Sequence, residues 1–268
     1  MPRLADLLRL LALVLIVLMT SASHPLHATD QPCTTMSHQG IGFIVCLAEP
    51  AAVRVFHGDE GGRAFGGFVA LRDALRRDQM RLVMAMNGGM YEEDLSAVGL
   101  LVTGGIEKHP LATGEGWGNF YLKPNGVFAL ADGRAMVMET GRFVASGVAP
   151  DEATQSGPML VIDGAVHPAF LPEGTSLQLR NGIGVDTKGK VYLAISLAPV
   201  RFYDFATLFR DELDCPNALF LDGHISSLYA PSLGRLDTRY PMGPIIGVVE
   251  PMWRSATAVP AAEEGASP

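Results

Sequence analysis

The chain has 268 residues, of which 48% are hydrophobic and 18% are charged, a balance typical of folded rather than disordered proteins. That length is enough for one large domain or two small ones. The formal net charge is −8 and no cluster of Lys and Arg offsets it, which argues against nucleic acid as a partner.

The first 28 residues predict a secretory signal peptide. Arg3 and Arg9 flank the leading polar stretch, residues 10–19 are apolar, and small residues follow, so cleavage after Ala22 or after Ala28 fits the pattern. The apolar run is short for a bilayer span, which makes an uncleaved anchor the weaker alternative. No other segment predicts a transmembrane helix. We therefore expect a periplasmic or secreted protein without stable membrane insertion after cleavage.

Export bears on the three cysteines, Cys33, Cys46 and Cys215, because it exposes them to an oxidising compartment. Cys33 and Cys46 could close a short loop and leave Cys215 free, and an odd number cannot all pair within the chain. The sequence has no C-x-x-C motif, and its histidines show no metal-ligand spacing. We predict neither a metal nor another cofactor, and the oligomeric state stays open.

Periodicity predicts the elements that follow. Residues 29–40 are polar and are expected to be irregular. An amphipathic helix is predicted near 67–79 and a second one from Phe202 to Leu213. Asx-Gly pairs at three positions are typical of hairpin turns: 125–126, 132–133 and 163–164. The apolar runs that predict strands lie at 42–47, 52–56, 82–86, 191–197, 218–221 and 245–249.

Many strands and few helices predict an α+β fold: a single domain with a mixed β-sheet core and a few packed helices. The domain is expected to span residues 41–253, because no repeat or break in composition interrupts it. Residues 254–268 are of low complexity and predict a disordered tail.

Polar residues and glycines follow predicted strands at several places, where clefts commonly form. Glycine lets backbone N–H groups approach an anion, and an arginine fork matches phosphate or carboxylate. Together they predict a site for an anionic, hydroxyl-rich substrate such as a sugar phosphate. The candidate residues are Asn87, Gly88, Gly89, Gln155, Ser156, Arg180, Asn181, Asp222, Gly223, His224, Ser226 and Ser227.

Each candidate also has a structural interpretation. Asn87 and Asp222 could cap turns, Arg180 could form a structural ion pair, and Ser226 and Ser227 could cap a turn. No G-x-S-x-G, P-loop, H-E-x-x-H or EF-hand motif is present.

The chain resembles the phosphodiester glycosidase family over residues 40–250, and looks most similar to a bacterial branch of it. The resemblance is carried, in order, by "AMNGGMY", "AVGLLV", "GNFYLKPNGVF", "TQSGPMLVIDG", "LRNGIGV" and "FLDGHISSLY". It implies a hydrolase that cleaves a sugar-1-phosphodiester on an envelope or extracellular glycan, or on a nucleotide-sugar-like substrate. The alternatives are a non-catalytic envelope protein that binds anionic glycans and a phosphodiesterase that breaks the P–O bond.

By this resemblance, the family's Asn-Gly-Gly falls on 87–89, its Ser-Gly-Pro on 156–158, its arginine on Arg180 and its Leu-Asp-Gly-Gly…Ser-Ser on 221–227. His224 stands where the family has a second glycine. If that glycine lines an anion-binding loop, an imidazole there narrows it, contacts the phosphate or weakens the activity.

The roles expected from these assignments divide between chemistry and binding. Asp222 would orient or deprotonate water or stabilise positive charge on the sugar, and Arg180 and Asn87 complete the predicted catalytic set. Arg180 would bind phosphate together with the Gly223 backbone and the hydroxyls of residues 226 and 227. The side chains of Asn87 and Gln155 would hold sugar hydroxyls.

Overall fold

The computed structural model describes residues 31–223 and 225–253. The predicted signal peptide, His224 and the predicted tail therefore lie outside the described residues. Within these two ranges, no helix has the length and apolar character needed to cross a membrane.

Strands and turns dominate the described part of the chain. The strands are β1 (Cys33–His38), β2 (Ile41–Ala48), β3 (Val53–Phe56), β4 (Met80–Asn87), β5 (Leu101–Thr103), β6 (Ile106–His109), β7 (Gly126–Ala131), β8 (Arg134–Glu139), β9 (Glu152–Ser156), β10 (Met159–Ile162), β11 (Ala165–Val166), β12 (Asn181–Val185), β13 (Val191–Ser196), β14 (Asn217–Phe220), β15 (Leu228–Ala230), β16 (Arg235–Leu236) and β17 (Ile245–Pro251). The helices are α1 (Phe68–Arg77), α2 (Thr140–Ser146) and α3 (Phe202–Thr207), and a π-helical turn over Leu208–Glu212 continues α3.

The strands form three sheets. One has seven strands in the order β1-β2-β13-β12-β14-β10-β11; the β4 sheet has the order β16-β15-β4-β17-β3; the β9 sheet has the order β6-β5-β9-β7-β8. The predicted α+β class is confirmed. The pairing differs from the expected mixed core, because every described strand pair is antiparallel. Strands β3 and β4, which are connected through α1, run parallel to each other. They do not pair directly, because β17 lies between them and is antiparallel to both.

Each sheet turns one face to a shared core and the other to a helix. The shared core draws on all three sheets, for example through Met84, Phe128 and Ile183. On the outer faces, Phe205 of α3 packs on the seven-stranded sheet and Leu71 of α1 on the β4 sheet. Helix α2 covers the β9 sheet in the same way. The ends of strands from three sheets can therefore meet at one place.

The predicted helices near 67–79 and from Phe202 to Leu213 are confirmed. The expectation of an irregular 29–40 segment is wrong where the structure describes it, because β1 runs there as an edge strand of the seven-stranded sheet. Its sequence, Cys-Thr-Thr-Met-Ser-His, buries only the two end residues, so no apolar alternation marks it.

Two of the three predicted hairpin turns are confirmed. Asp132 and Asp163 both adopt positive φ, at 50° and 48°, and each precedes a glycine between paired strands. The prediction at Asn125 is wrong, since β7 only begins at Gly126 and the Asn125 carboxamide bonds to the Phe120 carbonyl and the Thr140 hydroxyl.

A disulfide joins Cys33 to Cys46, and Cys215 is free and buried. The two bonded cysteines are cross-strand partners on β1 and β2. The pairing that the sequence left open is therefore resolved, and it suits a chain that leaves the reducing cytoplasm.

Glycines on β12 allow α3 and its π-helical turn to approach the seven-stranded sheet closely. A Cβ on Gly184 would lie 2.7 Å from Phe209 Cδ1 and 2.8 Å from Cys215 Sγ. We expect Gly184→Ala to lower the free energy of unfolding by about 1–3 kcal/mol, because the surrounding core must shift. Urea denaturation measures the change. Gly114→Ala is the control, since its Cβ would meet no atom within 4 Å, and an equal loss in both variants would contradict the packing argument.

Glu152 connects two sheets through a buried carboxylate. It belongs to β9, and its Oε2 accepts a hydrogen bond from the backbone N–H of Val55 on β3 at 3.0 Å. Burial raises the pKa of Glu152 above its ordinary value, and this outweighs the opposing effect of the Val55 and Gly104 N–H groups and of Arg54. The folded state therefore holds the Glu152 proton to higher pH than the unfolded state does.

This linkage predicts a pH dependence with a definite sign. The contribution of Glu152 to stability falls as pH rises from the ordinary glutamate pKa through its raised value, because the unfolded state loses the proton first. In Glu152→Gln that fall should be absent, so the difference in unfolding free energy between wild type and variant should change across this window. Denaturant titrations at several pH values measure it, with the exposed Glu93→Gln as control. A difference that stays constant with pH would contradict the prediction.

Candidate functional site

The ends of strands from all three sheets carry the predicted site residues. Strand β4 of the β4 sheet ends at Asn87, and β9 of the β9 sheet ends at Ser156. In the seven-stranded sheet, β12 begins at Asn181, and Leu221 and Asp222 follow β14. This arrangement matches the expectation that polar groups gather where strands end.

The carboxamide of Asn87 joins these ends. Its Oδ1 accepts a hydrogen bond from the Ser227 backbone N–H at 3.0 Å and another from Nδ2 of Asn181. Its Nδ2 donates to the Asp222 carbonyl at 3.4 Å. Asn87 is 1% exposed. We call these four residues, Asn87, Asn181, Asp222 and Ser227, the Asn87 network.

The strand that ends at Ser156 is tied to the same loop. The Ser156 hydroxyl donates to the Leu221 carbonyl at 2.8 Å, directly before Asp222. The hydroxyl hydrogen of Ser156 is therefore already bonded within the protein, and the side chain fixes the position of the Asp222 loop. Sequence reasoning did not separate this role from substrate binding.

The two glycines after Asn87 are required by close packing. A Cβ on Gly88 would lie 2.9 Å from Pro244 Cβ, and one on Gly89 would lie 2.2 Å from the Gln155 carbonyl oxygen. The Gly89 N–H donates to Thr154 Oγ1 at 3.1 Å. Sequence reasoning missed Thr154, which no motif marks.

Tyr91 is a second residue near the site that the sequence did not single out as functional. Burial raises the pKa of Tyr91, and the negative charge of Asp222 raises it further. The phenol donates to the Pro241 carbonyl at 2.6 Å. Its place just after Asn-Gly-Gly was the available signal.

Arg180 is buried beside the network rather than open to solvent. It is 1% exposed, and its guanidinium lies 3.4 Å from the centre of the Phe202 ring. Its Nε donates to the Val200 carbonyl at 2.8 Å and its Nη2 to the Ser176 carbonyl at 3.2 Å. None of the ion pairs among the described residues involves it, so the alternative of a structural ion pair has no support.

Burial lowers the pKa of Arg180 to about 10, so the guanidinium is still protonated at neutral pH. The result is a desolvated positive charge next to the Asn87 network. Such a charge favours a nearby anion even where it makes no direct contact, because the low dielectric of the interior screens it weakly.

Gln155 is also occupied by protein partners. Its Oε1 accepts from the N–H groups of Leu100 and Ala112, and its Nε2 donates to the Ala112 carbonyl and Thr140 Oγ1. The structure does not bring this carboxamide into the Asn87 network. It holds the loop at Ala112 instead.

Two buried polar atoms near the network lack a hydrogen-bond partner among the described residues: Asn181 Oδ1 and Ser226 Oγ. Leaving such atoms unpaired is costly, so each would gain free energy from a hydrogen-bond partner such as water or a polar group of a ligand. Gly223 lies between the Asp222 and Ser226 positions in the chain, and a Cβ on it would be 2.8 Å from Phe220 Cζ. The predicted effect of His224 stays a prediction.

Two cavities in the described ranges lie elsewhere. One of about 200 Å³ is lined by residues such as Phe143 of α2, and one of about 460 Å³ is lined by residues such as Phe68 of α1. Neither contains a candidate residue. The hydrogen-bond network and the unpartnered atoms, rather than the depth of a pocket, single out the site.

A family model described as phosphodiester glycosidase matches residues 80–247. The chain is also 31% identical over 238 residues to "Uncharacterized protein YigE" of Escherichia coli (strain K12), covering 89% of this chain and 91% of that protein. Both matches include the residues of the Asn87 network.

Two solved structures resemble the fold. The catalytic domain of zebrafish N-acetylglucosamine-1-phosphodiester alpha-N-acetylglucosaminidase, auto-inhibited by its pro-peptide, superposes with a TM-score of 0.58 at 13% identity, over 81% of each chain. A protein of Burkholderia pseudomallei K96243, named as a candidate exported protein, has a TM-score of 0.51 at 10% identity, over 78% of this chain and 74% of that one. At these identities the structures speak for the fold, while the family model and the curated relative assign the family. The chain belongs to the phosphodiester glycosidase family.

Proposed function

We propose that the chain hydrolyses a sugar-1-phosphodiester at the anomeric carbon, releasing a free sugar and a phosphomonoester. The observation that carries the proposal is the pair of unpartnered buried atoms, Asn181 Oδ1 and Ser226 Oγ, beside the Asp222 loop. An acceptor and a hydroxyl near the loop that carries Asp222 suit a ligand with both hydroxyl groups and phosphate. Membership of the phosphodiester glycosidase family supports the same substrate class.

The reaction asks less of the protein than ordinary glycoside hydrolysis. Most glycosidases use two carboxylates, one of which protonates the leaving oxygen. A phosphomonoester already leaves readily as an anion, so the site must chiefly stabilise the departing charge. One carboxylate, that of Asp222, is then sufficient for the remaining step. It orients or deprotonates the attacking water, or stabilises positive charge on the ring.

In the balanced step, a water oxygen bonds to the anomeric carbon while the bond from that carbon to the phosphate oxygen breaks. The electron pair of the broken bond leaves with the phosphomonoester. The proton of the water passes to Asp222 and then to solvent. The new hydroxyl of the sugar therefore carries the oxygen of water.

Binding roles are shared among the neighbours of Asp222. The Asn181 Oδ1 atom accepts a hydrogen bond from a sugar hydroxyl, while the Gly223 N–H and the hydroxyls of Ser226 and Ser227 donate hydrogen bonds to phosphate. Arg180 contributes its desolvated positive charge from behind the network. Asn87 positions the loop that carries the Asp222 carboxylate.

The remaining candidates act through these groups. We assign positioning roles to Ser156 and Gln155, whose side chains bond to the Leu221 carbonyl and to Ala112. Gly88 and Gly89 permit the close approach of neighbouring backbone. For His224, which lies outside the described residues, the three expected effects stay predictions: a narrower phosphate loop, contact with the phosphate, or weaker activity.

The Cys33–Cys46 disulfide supports export of the chain, and so a substrate outside the cytoplasm. We propose a periplasmic or secreted location and an envelope or extracellular phosphorylated glycan, or a nucleotide-sugar-like molecule, as the substrate.

Turnover in oxygen-18 water tests the bond that breaks. With a nucleotide sugar or a sugar-1-phosphodiester as substrate, mass spectrometry should find the label in the free sugar, because water attacks the anomeric carbon. Label in the phosphate would instead identify a phosphodiesterase. No turnover over a broad panel of sugar phosphodiesters would favour a protein that only binds anionic glycans.

Asp222→Asn tests the catalytic carboxylate. We expect kcat to fall by about 10²–10⁴-fold, the usual contribution of a general acid or base, while the melting temperature is retained. The matched control is Asp132→Asn, an exposed turn residue with φ of 50° that asparagine tolerates. Wild-type turnover in Asp222→Asn would rule out this role for the carboxylate.

A further inference from the structure

Three leucines expose much of their surface beside the Asn87 network. Leu177 is 50% exposed, Leu179 is 44% exposed and Leu197 is 47% exposed. We call these three residues the apolar rim. A single exposed leucine is ordinary, but a group of them at the edge of a polar site marks an interaction surface.

The apolar rim is held from inside by hydrogen bonds. The Arg180 guanidinium donates to the Ser176 and Val200 carbonyls, which brace the chain on both sides of the rim. Gln178, between two of the leucines, exchanges backbone hydrogen bonds with Val200 in both directions, at 3.3 and 2.8 Å. The leucines are therefore exposed on a braced segment rather than on an unsupported loop.

The apolar rim lies next to the backbone of the Asn87 network. Leu177 and Leu179 flank the Gln178 bridge, and Leu179 stands two residues before Asn181, where β12 begins. The Leu179 carbonyl oxygen is 3.3 Å from the position of a Cβ on Gly223. Leu197 follows Ser196, whose N–H donates to the Arg180 carbonyl at 2.9 Å. The apolar surface thus begins where the phosphate is proposed to bind.

We propose that the apolar rim binds the apolar aglycone of the substrate, a long alkyl or isoprenoid chain attached to the phosphate. The inference rests on the proposed function, because it assigns the group on the far side of the phosphodiester. The natural substrate would then be a lipid-linked sugar phosphate, with its sugar at Asn181 and its chain on the leucines.

Charge favours a single lipid chain over a membrane surface as the occupant. The net charge of the chain is −8, and the segment from 171 to 179 contains Glu173 but no Lys or Arg. Binding to an anionic bilayer ordinarily uses several basic residues near the surface. An apolar rim without them suits the hydrocarbon of one substrate molecule.

Calorimetry with dodecyl phosphate and methyl phosphate, below the concentration at which micelles form, tests the rim independently of catalysis. We expect wild type to bind dodecyl phosphate about tenfold more tightly, since part of the chain leaves water. The double variant Leu177→Ser/Leu179→Ser should lose most of this preference and bind methyl phosphate unchanged. Leu47→Ser is the control, because Leu47 is 42% exposed but lies at the other end of β2 from the Gly42 carbonyl that Leu197 contacts.

Equal affinity of wild type for the two phosphates would overturn the inference, and so would an equal loss in the control. Turnover of a sugar 1-(dodecyl phosphate) and a sugar 1-(methyl phosphate) then separates the two proposals. We expect a lower KM for the dodecyl substrate with similar kcat, and loss of that difference in the double variant. If neither substrate turns over, the proposed function fails while the binding comparison still decides the rim.

Discussion

The carboxamide of Asn87 is the interaction on which the site depends. It lies at the end of β4, yet its partners are Asn181 on β12, the backbone at Ser227 before β15, and the Asp222 carbonyl. A carboxamide can do this because its oxygen accepts two hydrogen bonds while its nitrogen donates two. At 1% exposure, an unmet bond would cost about 1–3 kcal/mol. The register of strands in two sheets must therefore be compatible with this one side chain.

Buried polar residues around this network have two kinds of task. The Asn87 carboxamide organises the loop that carries the proposed chemistry. Arg180 and Gln155 instead hold the surrounding walls, one through the Ser176 and Val200 carbonyls and the other through Ala112. These hydrogen bonds fix the backbone that surrounds the network.

The sequence predicted the elements and the grouping of polar residues at strand ends, but not the contacts of each side chain. Helices such as α1 carry an apolar stripe, and the polar groups after β4 and β14 stand directly beyond apolar runs. Strand β1 was missed because its sequence is mostly polar and shows no alternation of apolar and polar residues. The sequence shows the presence of the Arg180 guanidinium but not the Phe202 ring and the carbonyls that surround it, so its phosphate-binding role stays a prediction.

Thr154 and Tyr91 are residues near the site that the sequence did not mark. Thr154 matters through a bond to the Gly89 N–H, which joins the β9 sheet to the turn after β4. Tyr91 is connected to the site through the negative charge of Asp222, which helps to raise the pKa of its phenol. Both relations are created by the packing of separate sheets, and a single sequence contains no record of that packing.

Arg180 connects the electrostatics of the site with its apolar edge. Burying a guanidinium costs free energy, as its pKa of about 10 reflects, and none of the described ion pairs offsets that cost. The same donors that reach the Ser176 and Val200 carbonyls keep the leucine segment beside Gly223. For the proposed lipid-linked substrate, Arg180 would therefore have two roles. Its charge would favour the phosphate, and its hydrogen bonds would hold the leucine segment against which the attached chain would lie. Replacing it with lysine would keep the charge and lose the planar fork, so the two contributions are separable in principle.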